Sequence, residues 1–236
     1  DGTITAEMAA LCWLAVEHGA GFITGAVPGG AGKTSLMAAL LAFLPPGEKI
    51  TTVADRSVID AALSGAMAPP ATLLAHEIGS GHWFGYIWGR DAADFFSLAG
   101  QGLRCVSCLH ADTPEQTRQA LSSLGVAEGD LARLALQLFM HMGGGRRRIV
   151  RRVSGLHCFL DGRLRALYRW RPTDDGFDPA LDRREVCALL GAQYAAPAQQ
   201  VNARWQHYEG RLRALQEEGV RSFAQVRRSI VQAYGA

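Results

Sequence analysis

Ten residues, Gly25-Ala26-Val27-Pro28-Gly29-Gly30-Ala31-Gly32-Lys33-Thr34, constrain the fold of this 236-residue chain more than any other feature. They follow a short apolar run at 21–25 that reads as a strand. They open an apolar-periodic stretch at 34–44 that reads as a helix and stops at Pro45-Pro46-Gly47. A strand, a glycine-rich turn and a helix with Gly-Lys-Thr in register form the context a phosphate-binding loop requires. The backbone N–H groups of Gly29, Gly30, Gly32 and Lys33 can wrap phosphate oxygens, and the helix points its positive end at the same anion. Lys33 would then reach the β- and γ-phosphates, and the Thr34 hydroxyl would hold Mg²⁺. Val27 stands where the pattern G-x-x-x-x-G-K-[ST] has its first glycine.

The surrounding chain alternates helix and strand patterns. Residues 6–18 read as a helix, 49–53 and 71–78 as strands, 90–98 as a helix and 104–109 as a strand. Such interleaving implies a parallel sheet covered on both faces. After Asp130 the pattern changes. Runs at 134–142 and 147–153 flank Gly143-Gly144-Gly145, and runs at 158–160 and 163–170 flank Asp161-Gly162, a hairpin signal because Asp-Gly tolerates the φ > 0 positions of a type I′ turn. Antiparallel strands should therefore extend the sheet. Residues 172–179 read as a linker-like break, followed by helices at 182–193, 198–218 and 222–234. In the middle one, Val201, Trp205, Tyr208, Leu212 and Leu215 share a face, which reads as a packing stripe.

Composition narrows the function classes. Hydrophobic residues make up 48% and charged residues 19%, which excludes a disordered chain. The net charge of +2 exerts no global pull toward nucleic acid or anionic lipid, and Lys33 and Lys49 are the only lysines. Five cysteines in a chain this long are no disulfide framework and point to a reducing compartment. No apolar run approaches the roughly 20 residues of a membrane span, and no signal peptide is visible. The start at Asp1, with an amphipathic segment at once, suggests a cut through a longer protein.

Four further groups were weighed. Cys105 and Cys108 lie inside an apolar strand with no second cysteine pair, so they read as core thiols. His76, Glu77, His82 and His110 could be imagined around a metal but read as structural residues. The run Arg146-Arg147-Arg148 with Arg151-Arg152 reads as a solvated strand edge or an intersubunit face, and alternatively as a contact to a neighbour's phosphate or, behind that, to nucleic acid. Trp83, Phe84, Tyr86 and Trp88 read as a plug for the core or for a subunit contact rather than as a surface that stacks bases.

Residues 2–55 resemble the motor domain of the type II/IV secretion-system ATPases, especially the branch that drives archaeal pili and archaella. Gly2-Thr3-Ile4-Thr5-Ala6-Glu7-Met8-Ala9, Leu14-Ala15-Val16-Glu17-His18, Leu40-Leu41-Ala42-Phe43-Leu44-Pro45-Pro46 and Lys49-Ile50 carry the likeness around the glycine loop. Arg90-Asp91-Ala92 through Leu109-His110-Ala111-Asp112 resembles the stretch from that family's Walker B arginine to its histidine box. Arg211, Leu212, Leu215, Gly219-Val220 and Tyr234 resemble its tail. The resemblance implies an α/β fold: a RecA-like P-loop NTPase domain with the antiparallel extension over residues 1–173, then a C-terminal helical bundle over 174–236. It implies ATP and Mg²⁺ as cofactors, with nucleotide contacts at Pro28, Gly29, Gly30, Ala31, Gly32, Lys33, Thr34 and Ser35 and the metal at Thr34. It further implies a homo-hexamer at the cytoplasmic face of a membrane, working on a membrane-embedded secretion or pilus platform and not on nucleic acid.

The family's acidic box and Walker B glutamate have no simple counterpart. Ala54-Asp55 stands where the family has Glu-Asp, and an ungapped count back from Arg90 puts Tyr86 at the glutamate position. Two placements stay open. Either the strand carrying Leu73 to Ile78 lies beside the glycine-loop strand and Glu77 faces the γ-phosphate, or the strand ending at Tyr86 does. The first is our expectation, because an acid at the end of an apolar strand suits orientation of an attacking water. Glu77, Asp55 and His110 are thus the expected catalytic residues. The rival readings are a non-hydrolysing, nucleotide-gated paralogue and a DNA-translocating motor of the conjugation type.

Overall fold

Backbone pairing orders the chain into one mixed sheet with helices on both faces. In the computed structural model, residues 2–81, 83–145 and 148–235 are described. His82, Arg146, Arg147 and the side chain of Arg148, named above, lie outside the described residues. The chain runs through α1 (Ala6–Glu17), β1 (Phe22–Gly25), α2 (Lys33–Leu41), β2 (Lys49–Thr52) and α3 (Arg56–Leu63). Next come β3 (Ala71–Leu74), β4 (Glu77–Ile78), β5 (Tyr86–Ile87), α4 (Arg90–Ser97) and β6 (Arg104–Leu109). Helices α5 (Pro114–Ser123) and α6 (Glu128–Leu131) lead into β7 (Leu136–Gly145), β8 (Arg148–Leu160), β9 (Arg163–Arg171) and β10 (Gly176–Pro179). The described chain closes with α7 (Arg183–Tyr194), α8 (Ala198–Glu217) and α9 (Phe223–Ala233).

The sheet order is β10-β9-β8-β7-β1-β6-β3-β2, with β4 joined to β6 and β5 joined to β4. Strands β7, β1, β6, β3 and β2 pair in parallel, and β7 to β10 continue the sheet antiparallel. All six residues of β6 are buried, as expected of a parallel strand covered on both faces. Its alternate side chains enter different cores: Cys105 joins Ile23, Phe95 and Phe139, whereas Cys108 joins Phe22, Met37 and Leu138. Two thiols on opposite faces of a strand cannot ligate one ion together. Burial raises both thiols, Cys105 to about 12.

Helix α1 is buried almost all round because it lies between the sheet and α8. Trp13 stacks on Phe43 at 5.3 Å and on Tyr208 at 3.9 Å between ring centroids. The stripe of α8 is packing: Val201, Trp205, Tyr208 and Leu215 are buried, with Leu212 packed against them. The Trp205 Nε1–H donates to the Glu7 carbonyl at 2.9 Å. No helix among the described residues is long and apolar enough to cross a membrane.

Several expectations need correction. The strand expected at 71–78 is two strands, because the chain returning at Gly85 offers its carbonyl to His76 N–H at 2.7 Å and interrupts the ladder at Ala75-His76. Strand β1 lies between β7 and β6, so neither strand proposed for that place stands beside the glycine-loop strand; β3 is one position further out. Its outer residues Ala71 and Leu74 are only partly buried, which suits that position. The runs at 147–153 and 158–160 are one strand, β8. The break at 172–179 contains β10, which pairs with β9. Trp83, Phe84 and Trp88 do not plug the core but stand exposed, Trp83 at 72%.

Candidate functional site

Parallel strands aligned side by side bring their carboxyl ends to one edge, and loops leaving that edge share a cleft. Here the glycine loop after β1, the turn after β6, strand β4 and strand β8 enclose a cavity of about 700 Å³. It is lined by Gly29, Gly30, Ala31, Gly32, Lys33, Thr34 and Ser35, together with Glu77, Tyr86, His110, Met140 and Arg151. Pro28 is exposed beside the loop and is not part of the lining.

The loop geometry follows from its glycines. Gly32, at φ +102°, is the N-cap of α2 and offers no side chain to cap the helix, so the first N–H groups of α2 face the cavity. A Cβ at Gly32 would lie 3.3 Å from Arg151 Cδ and from Met140 Cε. Gly29 and Gly30 would meet nothing within 4 Å, which leaves open space above the backbone. The Thr24 hydroxyl donates to the Lys33 carbonyl at 3.1 Å and ties the helix start to β1. Uncapped N–H groups at a helix start, a lysine and an exposed threonine hydroxyl suit a phosphate with its divalent cation.

Side chains from three elements converge on the loop. Lys33 Nζ donates to the Ala26 carbonyl at 3.1 Å and lies 3.3 Å from His110 Nδ1. That ring nitrogen is also 2.9 Å from the Val27 carbonyl oxygen. His110 Nε2 meets Glu77 Oε1 at 2.6 Å. The Tyr86 hydroxyl donates to Glu77 Oε2 at 3.3 Å. Burial first, then the Glu77 charge, raises the Tyr86 phenol and keeps it a donor. Glu77 and Tyr86, rivals in the sequence, are therefore hydrogen-bonded neighbours paired across β4 and β5. Asp112 Oδ1 accepts from Val27 N–H at 2.7 Å and pins the loop from the turn after β6.

Asp55 does not line the cavity. Its carboxylate caps α3, accepting from Ser57 N–H at 2.8 Å and from the Ser57 hydroxyl at 2.5 Å, and those bonds hold it below the usual carboxylate range. His76 is likewise elsewhere, edge-on to Phe84. Among the described residues no group of three or more His, Cys, Asp or Glu is arranged to hold a metal.

Arg151, expected at a strand edge, a subunit face or a neighbour's phosphate, meets the glycine loop of its own chain. Its Nε–H donates to the Gly30 carbonyl at 3.0 Å, from a strand that the sequence reading gave to solvent or a neighbouring subunit. Adjacent arginines on a strand point to opposite faces, and the exposed one, Arg151, is the one that meets the loop. Arg152 is itself buried, bonded to Asp175 through Nε at 2.7 Å and Nη2 at 2.5 Å.

No protein-family model matches the chain, and no curated protein matches it. Among solved structures, the VirB11 ATPase from the Brucella suis type IV secretion system, in complex with sulphate, is similar at 18% identity. That match covers 66% of this chain and 56% of the other, with a TM-score of 0.45. The ATPase DotB of Yersinia pseudotuberculosis is similar at 11% identity over 94% of this chain and 60% of that one, TM-score 0.45. DotB of Legionella pneumophila is similar at 12% identity over 94% and 62%, TM-score 0.44. The chain thus spans roughly three-fifths of the length of these structures, and likenesses this weak bear on none of the assignments below.

Proposed function

We propose that the cavity at the glycine loop binds ATP with Mg²⁺ and that the chain is the nucleotide-hydrolysing motor part of a secretion or pilus-assembly ATPase. The observation that carries the reading is the convergence of Lys33, Thr34, Glu77 and His110 on one cavity at the start of α2. When bound, the nucleotide and its metal supply the reacting phosphoryl group and neutralise part of its charge. The α2 N–H groups and Lys33 would hold the phosphate oxygens, and the Thr34 hydroxyl would be a ligand for the metal. Glu77 orients the attacking water by accepting its hydrogen bond. A carboxylate has about four acceptor positions, so those used by His110 and Tyr86 leave others for the water. His110 fixes the direction of the Glu77 carboxyl and is a positioning residue.

The resemblance of residues 2–55 and 90–112 to the secretion ATPases supports a RecA-like domain over 1–173, a helical appendage over 174–236, and a hexameric ring. The same resemblance supports a place at the cytoplasmic face beside a membrane-embedded platform. Mass measurement with nucleotide tests the ring, and a strictly monomeric species at high concentration contradicts it. Steady-state turnover tests the chemistry. Glu77→Gln should lower it at least about a hundredfold while leaving ATP binding intact, and Tyr86→Phe should change it little. Unchanged turnover in Glu77→Gln removes Glu77 from catalysis. Binding without turnover in the unaltered protein selects the non-hydrolysing reading.

A further inference from the structure

Arg151 reaches the glycine loop from β8 with only part of its bonding capacity committed. Its Nε–H is spent on the Gly30 carbonyl at 3.0 Å. A guanidinium has five N–H donors in a rigid fork, so four remain on its two terminal nitrogens. Among the described residues those nitrogens have no hydrogen bond, and no carboxylate pairs with Arg151. Other arginines of the sheet differ: Arg152 is bonded to Asp175, and Arg104 to Glu48. Arg151 is exposed and stands on the lining of the glycine-loop cavity.

Charge makes the arrangement specific. The start of α2 carries the partial positive charge of a helix N-terminus, and the Lys33 ammonium stands on the same lining. Arg151 adds a third positive group. Glu77, the only acid among the described lining residues, is engaged with His110 and Tyr86. Like charges gathered in this way repel, and an anion placed among them removes the repulsion.

The order of the strands fixes which end of a bound polyphosphate the arginine meets. The loop leaves β1. Glu77 belongs to β4 and His110 follows β6, both on one side of β1, whereas β8 is two strands away on the other side. The reacting γ-phosphate belongs with Glu77, so Arg151 faces the end that does not react.

We propose that Arg151 binds the α- and β-phosphates of the nucleotide held by its own chain. The inference rests on the nucleotide reading of the glycine loop and adds a phosphate-binding residue to it. The Nε–H stays on Gly30, which sets the direction of the fork, and the terminal N–H groups meet phosphate oxygens that ATP and ADP share. A contact common to both nucleotides strengthens both by the same factor, unlike a contact to the γ-phosphate.

The test is calorimetric titration of MgATP and of MgADP into the unaltered chain and into Arg151→Gln, each at low and at high salt. Arg151 is exposed, so the variant should keep the melting temperature of the unaltered chain. Both nucleotides should bind Arg151→Gln at least about fivefold more weakly, by factors that agree within about twofold. Affinity should also fall less steeply with salt in the variant, because one charged contact to phosphate is gone. Equal affinity in the two proteins overturns the proposal and leaves the glycine-loop reading standing. A loss confined to ATP overturns it by placing the arginine at the γ-phosphate. Weaker binding with an unchanged salt dependence overturns it by reducing Arg151 to a prop for Gly30. No binding of either nucleotide by the unaltered chain overturns both the proposal and the reading beneath it.

Discussion

The cavity at the glycine loop and a groove of about 860 Å³ between α5 and strands β7, β8 and β9 differ in how their polar groups are matched. At the glycine loop, Lys33, Glu77, Tyr86, His110 and Arg151 each have a hydrogen-bonding partner within the chain. In the α5 groove, Thr117 Oγ1, Gln137 Oε1 and His157 Nδ1 have none among the described residues. The first cavity closes on itself through a lysine, a histidine and a carboxyl, so an anion that draws Lys33 away must replace its bond to the Ala26 carbonyl. The second keeps three polar atoms buried with no partner to lose. Removing one member of a matched set leaves its partner stranded, whereas removing an orphan relieves a penalty. The two cavities should therefore answer to mutation with opposite signs.

The largest stability effect should come from His157. Burial, then the nearby Arg169 charge, holds its folded-state value near 4, below the ordinary 6.5, so protons bind the unfolded chain first. The stability it contributes is full above pH 6.5 and is lost as pH falls toward 4. Urea unfolding across that window should show the protein losing about 3 kcal/mol relative to His157→Gln. Parallel pH profiles for the two would refute the orphaned, neutral ring. A smaller effect belongs to the loop. Gly32→Ala puts a Cβ at φ +102° against Arg151 and Met140, which should cost about 1–2 kcal/mol in the same assay. No loss there would mean that the loop is not held as described. The smallest is Thr117→Val, which should leave stability unchanged or raise it by up to about 1 kcal/mol. A clear loss would show that the hydroxyl has a partner and would remove half of the contrast.

How far each region could be read from sequence follows the same division. The glycine loop is local: ten consecutive residues carry its strand end, turn and helix start, so spacing alone exposes it. Strands β1, β2 and β6 were legible as short apolar runs bounded by breakers. The Glu77 placement was not, because it depends on Gly85 returning to bond His76 and on β6 coming between β1 and β3. Asp55 read as an acid for chemistry although the helix it caps had a signal, an Asp with Ser two residues on. Helix α5 was missed despite Thr113 at its N-cap and Pro114 behind it, a strong start signal beside a short polar segment. The α5 groove was illegible in principle. It joins Thr117, Gln137 and His157 through strand register and two bulges, none of which periodicity encodes.

The claim on which the functional reading turns is that residues Gly29 to Thr34 hold the phosphates of a nucleotide. Calorimetric titration of MgATP into the chain and into Lys33→Ala tests it most directly. The account predicts saturable binding that weakens by about 1.5–3 kcal/mol, roughly 10- to 150-fold in Kd, when the ammonium is removed. Equal affinity in the two proteins, or no binding heat in the unaltered chain, would contradict it.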